Sequence, residues 1–252
     1  MEPLLEVKNL TRTFRGREKK EFAAVDHVSF CLYPGETLGI VGESGSGKST
    51  IARLITGLTD VTEGEIYLKG KKITGRKGRA FREVCRQCQM VFQSPAGSFD
   101  PRRTLGDGIG ESLENSGMKK AERQRRVAEL LRRCGLPEEY AARYPHEVSG
   151  GECQRAAIAR ALAIEPELLI CDEATSSLDV TVQKQVMELL AGLREENGVA
   201  YVFICHDLAL VQQFCSRVLV MQDGRIVEAG TPDEVILRPR EDYTRRLVEA
   251  VL

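Results

Sequence analysis

The sequence lacks an excess of charge of either sign. Lysine and arginine account for 36 of its 252 residues, aspartate and glutamate for 37, and the formal net charge is −1. A chain so balanced has no global attraction to nucleic acid or to acidic membranes. Two segments, 71–86 and 119–133, are locally basic. In the second segment apolar residues recur at helical spacing and aromatic residues are absent. We therefore predict a solvated charged face there and no nucleic-acid partner.

Long hydrophobic runs and an export signal are also missing. The most apolar segments, such as "VAYVFIC" at 199–205, are far shorter than the ~18 residues of a membrane-spanning helix. The opening "MEPLLEVKNL" has an acid where a secretory signal has bases. These features predict a chain that does not cross a bilayer by itself.

Cysteine pairs are scarce as well. The eight cysteines are scattered, and the one C-x-x-C pair, Cys85 and Cys88, has no second pair at metal-binding spacing. A chain of this length with 42% hydrophobic residues builds its core without disulfide bonds. We expect reduced, ordinary thiols.

What is present is an alternation of strand-like and helix-like segments. Residues 4–41 have the short apolar runs of an antiparallel β region, 48–58 fit a helix, and 110–147 are helical and charged. After residue 150, apolar strands such as "ELLICDE" alternate with helical segments. This order predicts an α/β fold with a mostly parallel core sheet, an N-terminal antiparallel β subdomain and an inserted helical subdomain.

The stretch "GESGSGKST", residues 42–50, lies between the apolar run "TLGIV" and a helical segment. Strand, G-x-x-x-x-G-K-S and helix together make a phosphate-binding (P-) loop. The glycines let backbone amides turn around phosphate oxygens, Lys48 adds a positive charge, and the helix dipole favours an anion. The predicted ATP-binding residues of the loop are Gly42, Glu43, Ser44, Gly45, Ser46, Gly47, Lys48, Ser49 and Thr50.

A later apolar strand, "ELLICDEA", ends in Asp172 and Glu173. An aspartate in this position can hold Mg²⁺ together with Ser49, and its neighbour can orient water for attack on a γ-phosphate. Two adjacent acids at the end of a strand therefore predict hydrolysis, with Glu173 as the base.

The stretch "HEVSGGECQRAAIARAL", residues 146–162, begins an amphipathic helix with a serine and two glycines, a second anion-binding terminus. Here the sequence resembles the ATP-binding-cassette (ABC) family, whose signature "LSGGQ" appears as Val148-Ser149-Gly150-Gly151-Glu152. In that family two cassettes pair head to tail, and each signature closes over the γ-phosphate in the other's loop. The resemblance implies one ATPase domain that uses ATP and Mg²⁺, with a nucleotide-binding core at 1–93 and 151–252 and a helical subdomain at 94–150.

Other family motifs occur in the family's order. By this resemblance Phe14 stacks on adenine, Gln93 senses Mg²⁺ and water, and His206 contacts the γ-phosphate. The resemblance thus implies catalytic residues Glu173, His206 and Gln93; metal-site residues Ser49, Gln93 and Asp172; signature residues Ser149, Gly150, Gly151 and Glu152, which act on the partner's ATP; and dimer-interface residues Ser177 and Asp179.

The joint "FQSPAGSFDPRRTLGD" and the tail "RPREDYTRRLVEAVL" resemble the ATPase subunits of oligopeptide, dipeptide and nickel importers. This resemblance implies a peripheral protein on the cytoplasmic face of a bacterial membrane. Its implied partners are two permease subunits, a second ABC ATPase (a sister subunit or itself) and an extracytoplasmic solute-binding protein. The cargo would be peptide, nickel or a related metal chelate or small solute. The alternatives are a soluble ABC ATPase of DNA repair or translation, and the ATPase of an exporter.

Four residues carry narrower expectations. Glu152 replaces the usual glutamine of the signature and places an acid near the nucleotide. Because glutamate is a familiar variant at this position in the family, we expect tuned activity and not inactivity. Cys153 follows on the first turn of the helix, where the dipole favours a thiolate, so we predict a reactive thiol. Arg102 and Arg103 lie in the irregular joint and are predicted to contact a membrane subunit.

Overall fold

The computed structural model describes residues 2–15, 21–175 and 178–250. Its strands are β1 (Leu5–Arg15), β2 (Glu21–Leu32), β3 (Thr37–Val41), β4 (Glu63–Leu68), β5 (Lys71–Lys72), β6 (Cys88–Val91), β7 (Leu168–Asp172), β8 (Ala200–Ile204), β9 (Arg217–Gln222) and β10 (Arg225–Gly230). Its α-helices are α1 (Lys48–Ile55), α2 (Gly78–Gln87), α3 (Leu105–Asn115), α4 (Lys120–Arg133), α5 (Gly150–Leu162), α6 (Val180–Asn197), α7 (Leu208–Phe214), α8 (Pro232–Leu237) and α9 (Asp242–Glu249).

The strands form two sheets within the described ranges. A four-stranded antiparallel sheet has the order β2-β1-β4-β5, and a six-stranded sheet has the order β10-β9-β3-β8-β7-β6. In the larger sheet every pairing is parallel except that of β9 with β10. The carboxyl ends of β3, β6, β7 and β8 therefore lie along one edge of the sheet. The predicted site residues that follow these four strands lie at that edge.

The larger sheet is covered on both faces, which explains the continuous apolar runs of its central strands. Alternate residues of β7 and β8, including Leu168, Ile170 and Val202, pack with α1 and the small sheet. The residues between them, including Leu169 and Phe203, pack with α5, α6 and α7. This period-two division places two apolar cores on opposite sides of one sheet.

Helices α3 and α4 occupy the charged segment that the sequence predicts as helical. The Thr104 side chain caps α3 by accepting from the Asp107 amide at 3.2 Å. Buried apolar residues of both helices pack in the same cluster as those of α5. The division into 1–93, 94–150 and 151–252 stays a prediction. In the described part of the chain, every helix is too short or too polar to cross a membrane.

Candidate functional site

The loop between β3 and α1 follows a backbone path that requires glycine. Gly42, Gly45 and Gly47 have φ of 148°, 85° and 103°, values that L side chains rarely adopt. A Cβ on Gly42 would lie 2.2 Å from the Met221 carbonyl oxygen, and one on Gly47 would lie 2.2 Å from the Ala24 carbonyl oxygen. The loop is therefore both left-handed and tightly packed against β2 and β9.

Lys48 turns its ammonium group back into this loop. Its Nζ donates to the carbonyl oxygens of Gly42 at 2.8 Å and Glu43 at 2.7 Å, and to Ser46 Oγ at 3.3 Å. Burial lowers the pKa of Lys48, whereas the nearby acids Glu173, Asp172 and Glu43 oppose that shift. The loop thus encloses a cation beside the place where an anion is expected.

The N-terminus of α1 supplies a second positive feature. Gly47 is the N-cap residue, makes no side-chain cap and is followed by a first turn without an acid. The first amides of a helix have no partner inside the helix, and the dipole makes this end positive. Loop, lysine and helix end together form an anion site of the kind that binds phosphate.

Ser49 and Asp172 meet although they are far apart in sequence. Ser49 Oγ donates to Asp172 Oδ1 at 2.8 Å. Burial raises the pKa of Asp172, and the hydrogen bond from Ser49 partly offsets this. A hydroxyl and a carboxylate at the mouth of a phosphate loop are oxygen ligands suited to Mg²⁺.

Glu173 directly follows β7 in a strained conformation. Its φ is 48°, uncommon for a residue other than glycine, and strain of this kind concentrates at functional sites. The Glu173 amide donates to the Ile204 carbonyl at 2.9 Å, and Gln93 Nε2 donates to Glu173 Oε2. The structure therefore brings together two predicted catalytic residues that follow different strands, β6 and β7.

His206 lies at the same edge of the sheet. It comes two residues after Ile204, which pairs with Asp172, and it is exposed. The following residue, Asp207, caps α7 by accepting from the amides of Ala209 at 2.9 Å and Leu210 at 3.2 Å. The start of α7 is therefore held in place directly after the histidine.

Phe14 belongs to an aromatic pair. It is the register partner of Phe22, and the two ring centroids are 5.8 Å apart. The Arg12 guanidinium lies 4.6 Å from the centroid of the Phe14 ring. Phe22 is 55% exposed and lies two residues before Ala24, which contacts the loop. The sequence-based prediction named Phe14 but not Phe22, which lies opposite it in the paired strands β1 and β2.

The predicted signature begins α5 with a capping box. Ser149 Oγ accepts from the Glu152 amide at 3.3 Å, and Glu152 Oε2 accepts from the Ser149 amide at 2.7 Å. Glu152 Oε1 also accepts from Tyr140 Oη at 2.6 Å. These bonds, that from Tyr140 first, lower the pKa of Glu152.

Gly150 is exposed, and a Cβ on it would have nothing within 4 Å. The open face of the signature is thus at Gly150, whereas the Glu152 carboxylate is engaged within its own chain. Among the described residues, no hydrogen bond joins the signature to the loop at 42–50.

The two residues predicted for the dimer interface differ in what the structure shows of them. Asp179 is the N-cap of α6 and accepts from the Val182 amide at 3.0 Å, whereas Ser177 lies outside the described residues.

The prediction of a reactive Cys153 is wrong, because the residue is buried and burial raises the pKa of its thiol. All eight cysteines are free, as expected. Cys88 of the C-x-x-C pair is fully buried with a pKa raised to about 12.

Fold and site together define a P-loop nucleotide-binding domain with a second anion-binding helix terminus. The profile of the family described as "ABC transporter" matches residues 25–176. The oligopeptide transport ATP-binding protein OppF of Bacillus subtilis is 47% identical over 99% of this chain and 83% of its own length. OppF of Escherichia coli is 46% identical over 98% of this chain and 77% of its own length. The chain belongs to the ABC transporter family, and it is an ATP-binding ATPase.

Other similar proteins agree with this family. The glutathione import ATP-binding protein GsiA of Pectobacterium atrosepticum is 46% identical over 99% of this chain, which spans 41% of that longer protein. The dimeric cassette MJ0796 bound to ADP and Pi has a TM-score of 0.84 and 32% identity, covering 90% of this chain and 98% of its own. CbiO1 of Clostridium perfringens, part of the ABC transporter complex cbiONQ, has a TM-score of 0.81 and 27% identity, covering 100% of this chain and 96% of its own.

Proposed function

We propose that this chain is the ATP-hydrolysing subunit of a bacterial importer for peptides or a related small solute. The observation that carries the proposal is a glycine loop with its lysine and a Ser49–Asp172 pair, in a chain similar over nearly its whole length to OppF and to part of GsiA. Nickel or a metal chelate is a narrower possibility within the same subfamily. The proposed location is the cytoplasmic face of the membrane, on two permease subunits, with a solute-binding protein on the other side.

The residues of the loop account for triphosphate binding. Lys48 Nζ lies against the Gly42 and Glu43 carbonyls, and in this proposal it binds a phosphate oxygen together with the loop amides. The N-terminus of α1 faces the same loop. Phe14 and the exposed Phe22 offer ring surface to the adenine on the β2 side.

We infer that Mg²⁺ accompanies the ATP. Ser49 Oγ and the Asp172 carboxylate would hold it, with Gln93 at its side, and both oxygens are already adjacent at 2.8 Å. Among the described residues no group of three or more His, Cys, Asp or Glu could hold a metal by itself. This fits an ion that takes most of its ligands from phosphate and water. When bound, Mg²⁺ neutralises charge on the phosphate oxygens.

Glu173 acts as the base in this proposal. Its carboxylate takes a proton from the attacking water, and the Gln93 side chain, which donates to Glu173 Oε2, fixes the direction of that carboxylate. We propose that His206, at the same edge of the sheet, contacts the γ-phosphate. The signature of a second cassette, led by Ser149 and Gly150, completes the site from outside.

The proposed contact with the permeases lies in the joint. Arg102 is exposed, whereas Arg103 is half-buried and its Nη1 lies 3.4 Å from Glu111 Oε1. We propose that these two arginines, near the start of the predicted helical subdomain 94–150, contact a helix of the membrane subunit. ATP binding would change the position of Gln93, and the joint that follows Gln93 would pass this movement to the membrane subunit.

Co-expression with the neighbouring permease genes and a sister ATPase tests the proposal. We expect a membrane complex whose ATPase depends on its solute-binding protein. Reversing two charges, Arg102→Glu with Arg103→Glu, should weaken assembly or uncouple hydrolysis from uptake, while ATP binding by the isolated chain is unchanged.

A matched control reverses two exposed arginines on α4, Arg125→Glu with Arg132→Glu, and should assemble normally. Fast ATP hydrolysis by the isolated chain, at a rate that does not change when the permeases are present, would contradict the importer function.

A further inference from the structure

The tail "RPREDYTRRLVEAVL" has no role in the site described so far, yet the structure buries part of it. Helix α9 begins at Asp242, and its next two residues, Tyr243 and Thr244, are 7% and 0% exposed. Tyrosine buried in this way usually finds a hydrogen-bond partner for its hydroxyl. The partner of Tyr243 is in the phosphate loop.

Tyr243 Oη accepts a hydrogen bond from the Glu43 amide at 2.9 Å, across 200 residues of sequence. Glu43 is the second residue of the loop, and its carbonyl oxygen accepts from Lys48 Nζ at 2.7 Å. One loop residue is therefore held on both sides, by the tail at its amide and by the phosphate-binding lysine at its carbonyl.

The tail itself is anchored to the sheet. The Glu228 carboxylate of β10 accepts from the amides of Arg240 at 2.9 Å and Glu241 at 3.2 Å, directly before α9. The turn between β9 and β10 also reaches the loop, because the Gly224 amide donates to the Ser46 carbonyl at 3.0 Å. The β9–β10 hairpin and the helix that it anchors thus contact the loop at two separate residues.

We propose that Tyr243 is a positioning residue of the ATP site, through which the docking of α9 fixes the Glu43 peptide and, with it, Lys48. The hydrogen bond between the Glu43 amide and Tyr243 is half-buried. An amide that loses this acceptor must find water or another partner, and the loop turns to reach it. That turn displaces the carbonyl that holds Lys48 Nζ. The tail therefore sets the affinity of the loop for ATP without touching the nucleotide.

The experiment removes one oxygen atom. Tyr243→Phe keeps the buried ring and deletes the acceptor of the Glu43 amide. Tyr201→Phe is the matched control, because Tyr201 is fully buried and its Oη donates to the Leu190 carbonyl at 3.0 Å, outside the loop. For the full chain we would measure the Kd of MgATP, the melting temperature and amide hydrogen exchange of the segment 40–46.

We expect Tyr243→Phe to raise the Kd for MgATP by roughly two- to tenfold, the effect of losing one half-buried hydrogen bond, and to speed exchange in 40–46. Tyr201→Phe should lower the melting temperature while its Kd and loop exchange stay at wild-type values.

Wild-type affinity and exchange in Tyr243→Phe would overturn the proposal. An equal loss of affinity in both variants would do the same, because it would report general destabilisation. The inference depends on ATP binding by this chain and is independent of the importer function.

Discussion

At the residue scale, the site keeps two buried charges of opposite sign in one place. Burial disfavours the charged form of both Lys48 and Asp172, lowering the pKa of the first and raising that of the second. A carboxyl whose pKa is higher in the folded state than in the unfolded state reduces stability at neutral pH, where it is ionised in both states. The reduction disappears as pH falls through the raised pKa towards 3.8, the ordinary pKa of an aspartate side chain.

Asp172→Asn should therefore stabilise the nucleotide-free chain while abolishing its ATPase activity. The asparagine oxygen can still accept from Ser49 Oγ, but the charge is gone. At pH 7 to 8 we expect the melting temperature to rise, by about 2–4 °C for each kcal/mol of stability gained in a chain of this size. The gain should shrink as the pH is lowered, and calorimetry at several pH values measures it. A variant less stable than wild type at pH 8 would contradict the assigned pKa direction.

At the element scale, the first turn of α5 has two glycines with different surroundings. A Cβ on Gly150 would meet nothing within 4 Å, whereas a Cβ on Gly151 would lie 2.9 Å from Val182 Cγ1 of α6. Gly151 is therefore needed for packing within this chain. Gly150 has no such requirement here, which points to a close approach from outside, as expected if a second cassette covers it.

Gly150→Ala and Gly151→Ala should separate these two requirements. Gly150→Ala should keep or slightly raise the melting temperature, because alanine suits a helix better than glycine, yet lower the ATPase of the assembled complex. Gly151→Ala should lower the melting temperature of the isolated chain. Thermal melts and steady-state ATPase assays give both readouts, and full activity of assembled Gly150→Ala would show that no partner approaches this face.

At the scale of the whole molecule, no hydrogen bond among the described residues connects the signature to the phosphate loop of the same chain. Within the part of the chain that the structure describes, the signature thus makes no hydrogen bond to its own phosphate loop, and the similar cassette MJ0796 is a dimer bound to ADP and Pi. We therefore expect an isolated chain that is largely monomeric and hydrolyses ATP slowly.

Glu173→Gln and Lys48→Ala should respond to MgATP in opposite ways. Glu173→Gln keeps the shape of the side chain but lacks the base, so it should lose about 100-fold or more in hydrolysis. It should also accumulate as an ATP-bound dimer. Lys48→Ala loses the loop cation, binds ATP poorly and should stay monomeric. Light scattering with ATP, and with ADP as the control, detects the dimer, and wild-type hydrolysis by Glu173→Gln would refute the assignment of the base.

The local chemistry of the site was predictable from the sequence. Gly42, Gly45, Gly47, Lys48 and helix α1 lie next to one another in the sequence. The glycines permit a positive φ, the lysine supplies a charge and the helix supplies a dipole, and each of these properties belongs to the local residues themselves. The acids of "CDE" and the serine of "SGG" were likewise recognisable, because they end a strand and begin a helix.

Only the tertiary structure decided which distant residues meet. The strand order β3-β8-β7-β6 brings Ser49 to Asp172 and Gln93 to Glu173, and no local pattern contains that order. Burial likewise depends on what packs over a residue, so Cys153 is buried with a raised thiol pKa although its helix position favours a thiolate. Tyr140 and Tyr243 reach Glu152 and the Glu43 amide for the same reason. Long-range contacts follow from how the elements pack, whereas short motifs carry their chemistry within a few residues.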